Sequence, residues 1–241
     1  MATFLTALAS RIYGNGIDLG DVAKSFVAEG MKKTSDATVI NDDGRKWTFG
    51  EMSGTYKSEG FLSVESEEDL ADGAWDMIRR AYAAEQVIIA APVGDTVGYP
   101  AVGLKPGGTK AAVMPSVGET VGYSLDGETL NGFEPGVVLV PISTKTGTFN
   151  GTSVDAGAAS TGGAAAFLAW GEFDGTNVTV KIQHSTDNST WADAATFTDI
   201  DAARGGERIE IAPGTLNRYR RAIISGGTFT SVELMVMLAA K

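Results

Sequence analysis

The stretch Gln183 to Asp193, QHSTDNSTWAD, gathers the chain's one histidine with an acid, several hydroxyls and a tryptophan. Those are the residue types of a hydrolytic triad, in which a nucleophile, a base and an orienting acid share a proton. The spacing works against that chemistry. His184 and Ser185 are adjacent at the end of a strand-like run, and adjacent strand residues point to opposite faces, so the imidazole and the hydroxyl do not meet. The bland reading is a hairpin, with Thr186 to Ser189 as the turn and Ile182 and Trp191 anchoring its two strands.

Metal chemistry has little to work with. One histidine and no cysteine leave oxygen ligands, which suit calcium or magnesium. Asp187-Asn188 and Asn41-Asp42-Asp43-Gly44 are the oxygen-rich clusters, but neither has the spacing of a dedicated calcium loop, and hairpin turns use the same residues. Lys105-Pro-Gly-Gly-Thr-Lys110 lacks the glycine spacing and terminal Lys-Ser/Thr of a phosphate-binding loop, and reads as a tight turn. No cofactor is expected. Asn150-Gly-Thr, Asn177-Val-Thr and Asn188-Ser-Thr match the glycan acceptor pattern, which has meaning only in a secreted chain, and 1–8 lacks the basic start and long apolar run of a secretory signal. A cytosolic origin is the default expectation, and no run is apolar and long enough to span a bilayer as a helix.

NRYRR at 217–221 is the densest basic cluster. Arg218 and Arg220 are expected on one strand face, too few for a nucleic-acid platform, and their economical use is ion pairing with acids of a neighbouring strand or subunit. The whole chain opposes nucleic-acid binding, because its formal charge is -11.

The elements that position these residues are mostly strands. The 241 residues are 43% hydrophobic and 20% charged, a globular composition, and 31 glycines supply turns. A first strand is expected near 22–29, β-prone runs at 37–40 and 56–62, and a long polar loop between them. Ser66 to about Glu85 reads as an amphipathic helix. Ser66 caps it, acids occupy its first turn, and Leu70, Ala74, Trp75, Ile78 and Tyr82 form one apolar face, which makes Trp75 a core side chain. VIIAAPV follows as a strand. Between 142 and 163 the composition shifts to Gly, Ser, Thr and Ala, which places a domain boundary at 142/143. Thereafter AAAFLAWGEF, NVTVKIQHST, WADAATFTDI, ERIEIAPG, NRYRRAIIS and SVELMVMLAA are short β runs without an intervening helix, the pattern of a sandwich or jelly roll. Val178, Val180 and Ile182 should share one face.

SVDAGAASTGGAAAFLAWGEFDGTNVTVKIQHSTDNSTWADAATF followed by RYRRAIISGGTFTSVELMVML resembles the major tail proteins, or tail tube proteins, of long-tailed bacteriophages. YGNGIDLGDVAKSF, the polar NDDGRKWTFGEMSGTYKSEGFLS, the helix and SVGETVGYSLDGETLNGFEPGVVL are similar in layout, so the resemblance covers most of the chain. It implies a mainly β fold: a tail-tube-like β-sandwich or barrel over 1–142 with one flanking helix at about 66–85, plus a second, jelly-roll-like β-sandwich over 143–241. It also implies a structural virion protein without enzymatic activity, assembled in the host cytoplasm. Copies would form hexameric or pseudo-hexameric rings that stack into the tail tube, in company with other tail proteins and without a membrane. DNA passes through such a tube without tight binding, which an acidic protein favours. By position, the loop 34–52 would stack rings and 1–15 would be an arm. Asp42, Asp43, Arg45, Lys46 and Trp47, with Arg218 and Arg220, are then the contact candidates. The β-rich segment after about 142 departs from the simplest members. It is either a second tube-like unit or an external decoration, and the absence of a second helix favours decoration. The rival readings are a carbohydrate-binding or adhesion module, with Trp170 and Trp191 as platforms, and a head-decoration protein.

Overall fold

The computed structural model describes residues 10–14, 16–20, 23–36, 47–62, 78, 86–114 and 120–241, with the backbone alone at 32–36 and 47–52. It is mainly β, in two antiparallel sheets. The helix expected over 66–85 lies outside the described residues except for Ile78, which is helical and buried.

Two long strands organise the fold. β12 (Ala164–Ser185) and β15 (Tyr219–Ala240) pair along almost their whole length, with bulges between Trp170 and Asn177 and near Thr179. Here the sequence expectation is corrected. AAAFLAWGEF and NVTVKIQHST are one strand, as are NRYRRAIIS and SVELMVMLAA. Polar, glycine-bearing segments that resemble turns are bulges, which bend a ladder without ending it. The bend lets each strand serve two layers. β14 (Gly205–Ile211) flanks the first half of β12, and β13 (Ala192–Thr196) flanks the second. On the far side of β15 lie β9 (Glu134–Lys145) and the short β10 (Phe149–Asn150) and β11 (Val154–Asp155). The boundary expected at 142/143 falls inside β9, whose pairing with β15 joins the two parts of the chain in one sheet.

The first half of β12 is buried on both faces, which explains its unbroken apolar run. Ala164, Ala166 and Leu168 enter one core with Val178, Val180, Ile182, Phe197 and Leu216. Ala165, Phe167 and Ala169 enter another with Met235, Met237, Val138 and Ile89. Each fully buried Leu, Ile or Phe contributes on the order of 1.5–3 kcal/mol, so this double-faced partition carries much of the stability.

The large sheet continues from β9 to β6 (Pro100–Leu104), β5 (Ile88–Ala91), β1 (Arg11–Gly14) and β2 (Ile17–Asp18). It curls until its β1–β2 end comes back against β12 and β15. Tyr13 Oη donates to Glu233 Oε1 at 2.7 Å, and Arg204 Nη1 donates to Gly16 O at 3.0 Å. Gly16 has φ +80°, and a Cβ there would stand 2.2 Å from Trp170 O, so this closure admits only glycine. The result is a barrel-like curl filled by small and large side chains in turn, Ala91, Ala101, Ala165 and Ala169 beside Tyr13, Phe167 and Met237.

The second sheet has four strands in the order β3 (Ala23–Asp36), β4 (Trp47–Phe61), β8 (Gly122–Thr129) and β7 (Pro106–Met114). Its inner face, with Tyr56, Tyr123 and Leu125, packs on Ile12, Ile88, Leu104 and Ile78. The long loop expected over 34–52 is corrected at its two ends, its middle, 37–46, lying outside the described residues. β3 runs to Asp36 and β4 begins at Trp47, the two paired, so polar sequence at both ends of that segment forms a strand ladder. β-propensity depends on cross-strand partners more than on polarity.

Candidate functional site

The turn at 183–193 is what its residue types predict for a hairpin. Asp187 carboxylate oxygens accept the Ser189 and Thr190 backbone N–H groups at 2.9 and 2.7 Å and the Ser185 and Thr190 hydroxyls at 2.8 and 3.1 Å. Those bonds, led by the Thr190 and Ser189 amides, hold the carboxyl far below the usual carboxylate range. Asn188 takes the left-handed conformation, φ 57°, that Asn tolerates in turns. His184 Nδ1 accepts the Asn217 N–H at 3.0 Å, and burial together with the Arg220 guanidinium pulls its pKa below the ordinary value. Ser185 donates to Asp187 instead of facing the imidazole. Ser185 and Asp187 are therefore engaged in shaping the turn, and His184 in holding the segment that leads into β15.

Of the residues expected to make contacts between copies, Asp42, Asp43, Arg45 and Lys46 lie outside the described residues. Trp47 opens β4, with its backbone opposite Asp36. Arg218 forms a two-pronged ion pair with Asp155 of β11, both contacts 2.6 Å, which is the neighbouring-strand pairing its setting suggested. Its hydrogen bonds, aided by the Gly157 amide, hold Asp155 down to about 2. Arg220 is buried. Its guanidinium donates to Asn217 O and Ser160 Oγ at 3.1 Å each, fastening the 155–160 segment, so it is spent within the chain.

A surface that side-chain inventory missed is the small sheet. Among the described residues, the exposed large apolar side chains concentrate there: Val27 and Met31 on β3, Phe61 on β4, Val113 and Met114 on β7, and Leu130 just after β8. Met31 and Leu130 are 67% and 62% exposed. β3 and β7 are also the two edges of this sheet, each hydrogen-bonded to one described strand alone. Exposed apolar edge strands are a hazard for a monomer, and proteins that remain monomeric usually cover or charge them. The outer face between them is polar, with Lys57 paired to Glu59 at 2.6 Å and exposed Glu29, Lys110 and Glu128. The signal in sequence was the alternation of Phe26 and Ala28 inward with Val27, Glu29 and Met31 outward.

A cavity of about 640 Å³ lies between the β8–β9 connection, β14 and the end of β15. Leu130, Phe133 and Pro135 form its apolar wall, opposite Arg208, Glu210 and Lys241. Arg208 Nε and Nη2 each meet a Glu134 carboxylate oxygen at 2.6 Å, and Nη2 reaches Glu210 at 2.6 Å. Lys241 completes the network on Glu210. Because every charge is matched within the chain, the network serves to pin β14 and the end of β15 to β9.

Among the described residues no three His, Asp or Glu side chains stand together as metal ligands, and no helix is long and apolar enough to cross a membrane.

These features define a mainly β protein whose smaller sheet has two apolar edges unpaired among the described residues. No protein-family model and no curated protein matches the chain. Among solved structures, it is similar to a chain from the virion of a native gene transfer agent particle, at 12% identity and TM-score 0.35, covering 52% of this chain and 92% of that one. It is also similar to the SPP1 Dit protein, described as a paradigm of the hub adsorption apparatus in Gram-positive infecting phages, at 11% identity and TM-score 0.35, covering 95% and 99%.

Proposed function

We propose that the protein is a structural subunit of a phage tail, which assembles with copies of itself into stacked rings that enclose the path of DNA. The observation that carries this reading is the pair of edges on the small sheet that no described strand pairs with. β3 is antiparallel to β4, β4 to β8 and β8 to β7, so β3 and β7 run in opposite directions. A second copy rotated about an axis roughly parallel to the strands brings its β3 alongside β7 in antiparallel orientation. Repeated, that contact is head-to-tail and closes into a ring. The edge apolar residues, Val27 and Met31 on one side and Val113 and Met114 on the other, would be covered in the process.

The sequence resemblance to tail tube proteins supports the same reading. So does the net charge of -11, which suits a passage that must not retain DNA. The engagement of Ser185 and Asp187 in turn geometry, and of His184 with the Asn217 amide, favours a structural role over a catalytic one.

Sedimentation of the purified full chain tests the proposal. The parent protein is expected as oligomers of defined size, and Met31→Glu as a folded monomer. Met31 is exposed, so the substitution spares the core. Oligomers unchanged by Met31→Glu together with Val113→Glu would remove the edge contact from the account.

A further inference from the structure

We propose that the face formed by the 185–193 turn and the β12–β13 hairpin binds a saccharide, with Trp191 as the stacking platform. The residues that looked catalytic in sequence left one aromatic and several planar polar groups without a function, and the structure places them together. Arg221 lies over the Trp191 ring, its guanidinium carbon 4.1 Å from the ring centroid, and thereby sets the plane of the indole. Arg221 Nε and Nη2 also donate to Gln183 Oε1 at 3.0 and 2.8 Å. Gln183 Nε2 donates to Asp193 Oδ1 at 2.8 Å, and Asp193 Oδ2 accepts Lys181 Nζ at 2.7 Å.

The result is a ladder of alternating donors and acceptors along one sheet face, beside a half-buried indole. This arrangement matches the two surfaces of a sugar ring. A pyranose presents a C–H face that stacks on an aromatic ring, and a rim of vicinal hydroxyls that both donate and accept. Amide, carboxylate and guanidinium groups each offer paired polar atoms to such hydroxyls. Arg221 and Lys181 are balanced by Asp193 and by Asp187 of the turn, so the patch carries no excess positive charge and suits an uncharged sugar.

The turn is held ready for such a ligand. Four hydrogen bonds to Asp187 fix its backbone, and the Arg221 stack fixes Trp191, so little ordering is required on binding. Trp170, the other tryptophan considered as a platform, is not equivalent. Its Nε1 donates to Ala202 O at 2.9 Å, and its ring packs against Gly205.

The site is complete in one copy, so it stands or falls separately from ring assembly. Assembly would add avidity by repeating a weak site. The test uses an array of neutral hexose, N-acetylhexosamine and uronic-acid oligosaccharides probed with the full chain, followed by titration of the bound oligosaccharide. Trp191→Ala is expected to weaken binding about tenfold, Trp191→Phe less, and Gln183→Ala measurably, with the size of the protein in solution unchanged. Should Trp191→Ala fail to fold, Trp191→Phe and Gln183→Ala carry the test. An array on which the full chain binds nothing, or affinity unaffected by both Trp191→Phe and Gln183→Ala, would overturn the proposal.

Discussion

Arg208 and Glu134 face each other in a two-pronged contact, both distances 2.6 Å, with side chains 9% and 8% exposed, although they lie 74 positions apart in the chain. The pair ties β14 to the start of β9 at the rim of the cavity. Glu134 is the chief cause that raises the Arg208 pKa above its ordinary value. Removing one partner would strand a buried charge, which typically costs about 3–5 kcal/mol. Arg208→Ala is therefore expected to lower the denaturant midpoint strongly. The double replacement Glu134→Leu with Arg208→Met should recover most of the loss, because two apolar groups leave nothing unpaired. Urea unfolding of the three proteins checks both statements.

Gly103 of β6 faces the ring of Phe167, and a Cβ at Gly103 would lie 2.5 Å from it. Phe167 is fully buried and has no room to retreat. Gly103→Ala should cost roughly 1–3 kcal/mol as overpacking. Adding Phe167→Leu should return part of that, since the new methyl and the smaller side chain compensate. Additive losses in thermal melts of the double variant would contradict this contact.

Acid should unfold the protein in a window set by its anchored carboxylates. Asp155 titrates at about 2 in place of 3.8, mainly because Arg218 donates to it. A folded-state pKa below the unfolded one means that the unfolded chain binds more protons as pH falls. The contribution is complete above pH 3.8 and is lost on the way down to about 2. Asp187, held low by the Thr190 and Ser189 amides, and Asp193, held low by Lys181 and then Gln183, act with the same sign. Asp155→Asn should flatten that part of a melting-temperature profile against pH. His184, depressed by burial and Arg220, adds an earlier loss as pH falls below 6.5, which His184→Gln should remove.

Sequence reasoning reached the strands and the turn more readily than the long-range architecture. Val178, Val180 and Ile182 share a buried face as their alternation requires, and 186–190 is the exposed turn between β12 and β13. WGEFDGTN looked like a break because glycine and acid usually end a strand. Only the partner β15, with its matching irregularities, shows that the strand continues. The polar ends of 34–52 misled in the same way, since ladder pairing between β3 and β4 overrides local polarity. Arg220 is expected from sequence to pair with acids of a neighbouring strand or subunit. Its burial follows from the Ser160 segment folding over it, a contact that spacing cannot reveal. The edge status of β3 and β7 is likewise a property of sheet order, which no local pattern encodes.

Charge placement on the open edges gives a direct test of pairing. Glu29 on β3 and Lys110 on β7 both lie exposed on the outer face of the small sheet. Either Glu29→Lys or Lys110→Glu alone should weaken self-association by placing like charges at the junction between copies. The double exchange should restore it, and added salt should narrow the differences. Sedimentation velocity at two ionic strengths measures all four proteins.

Electron microscopy of the purified full chain addresses self-assembly most directly. Rings of one diameter, with some stacked into tubes, are the predicted result. Particles that remain single 25.0 kDa copies at every concentration would contradict the account.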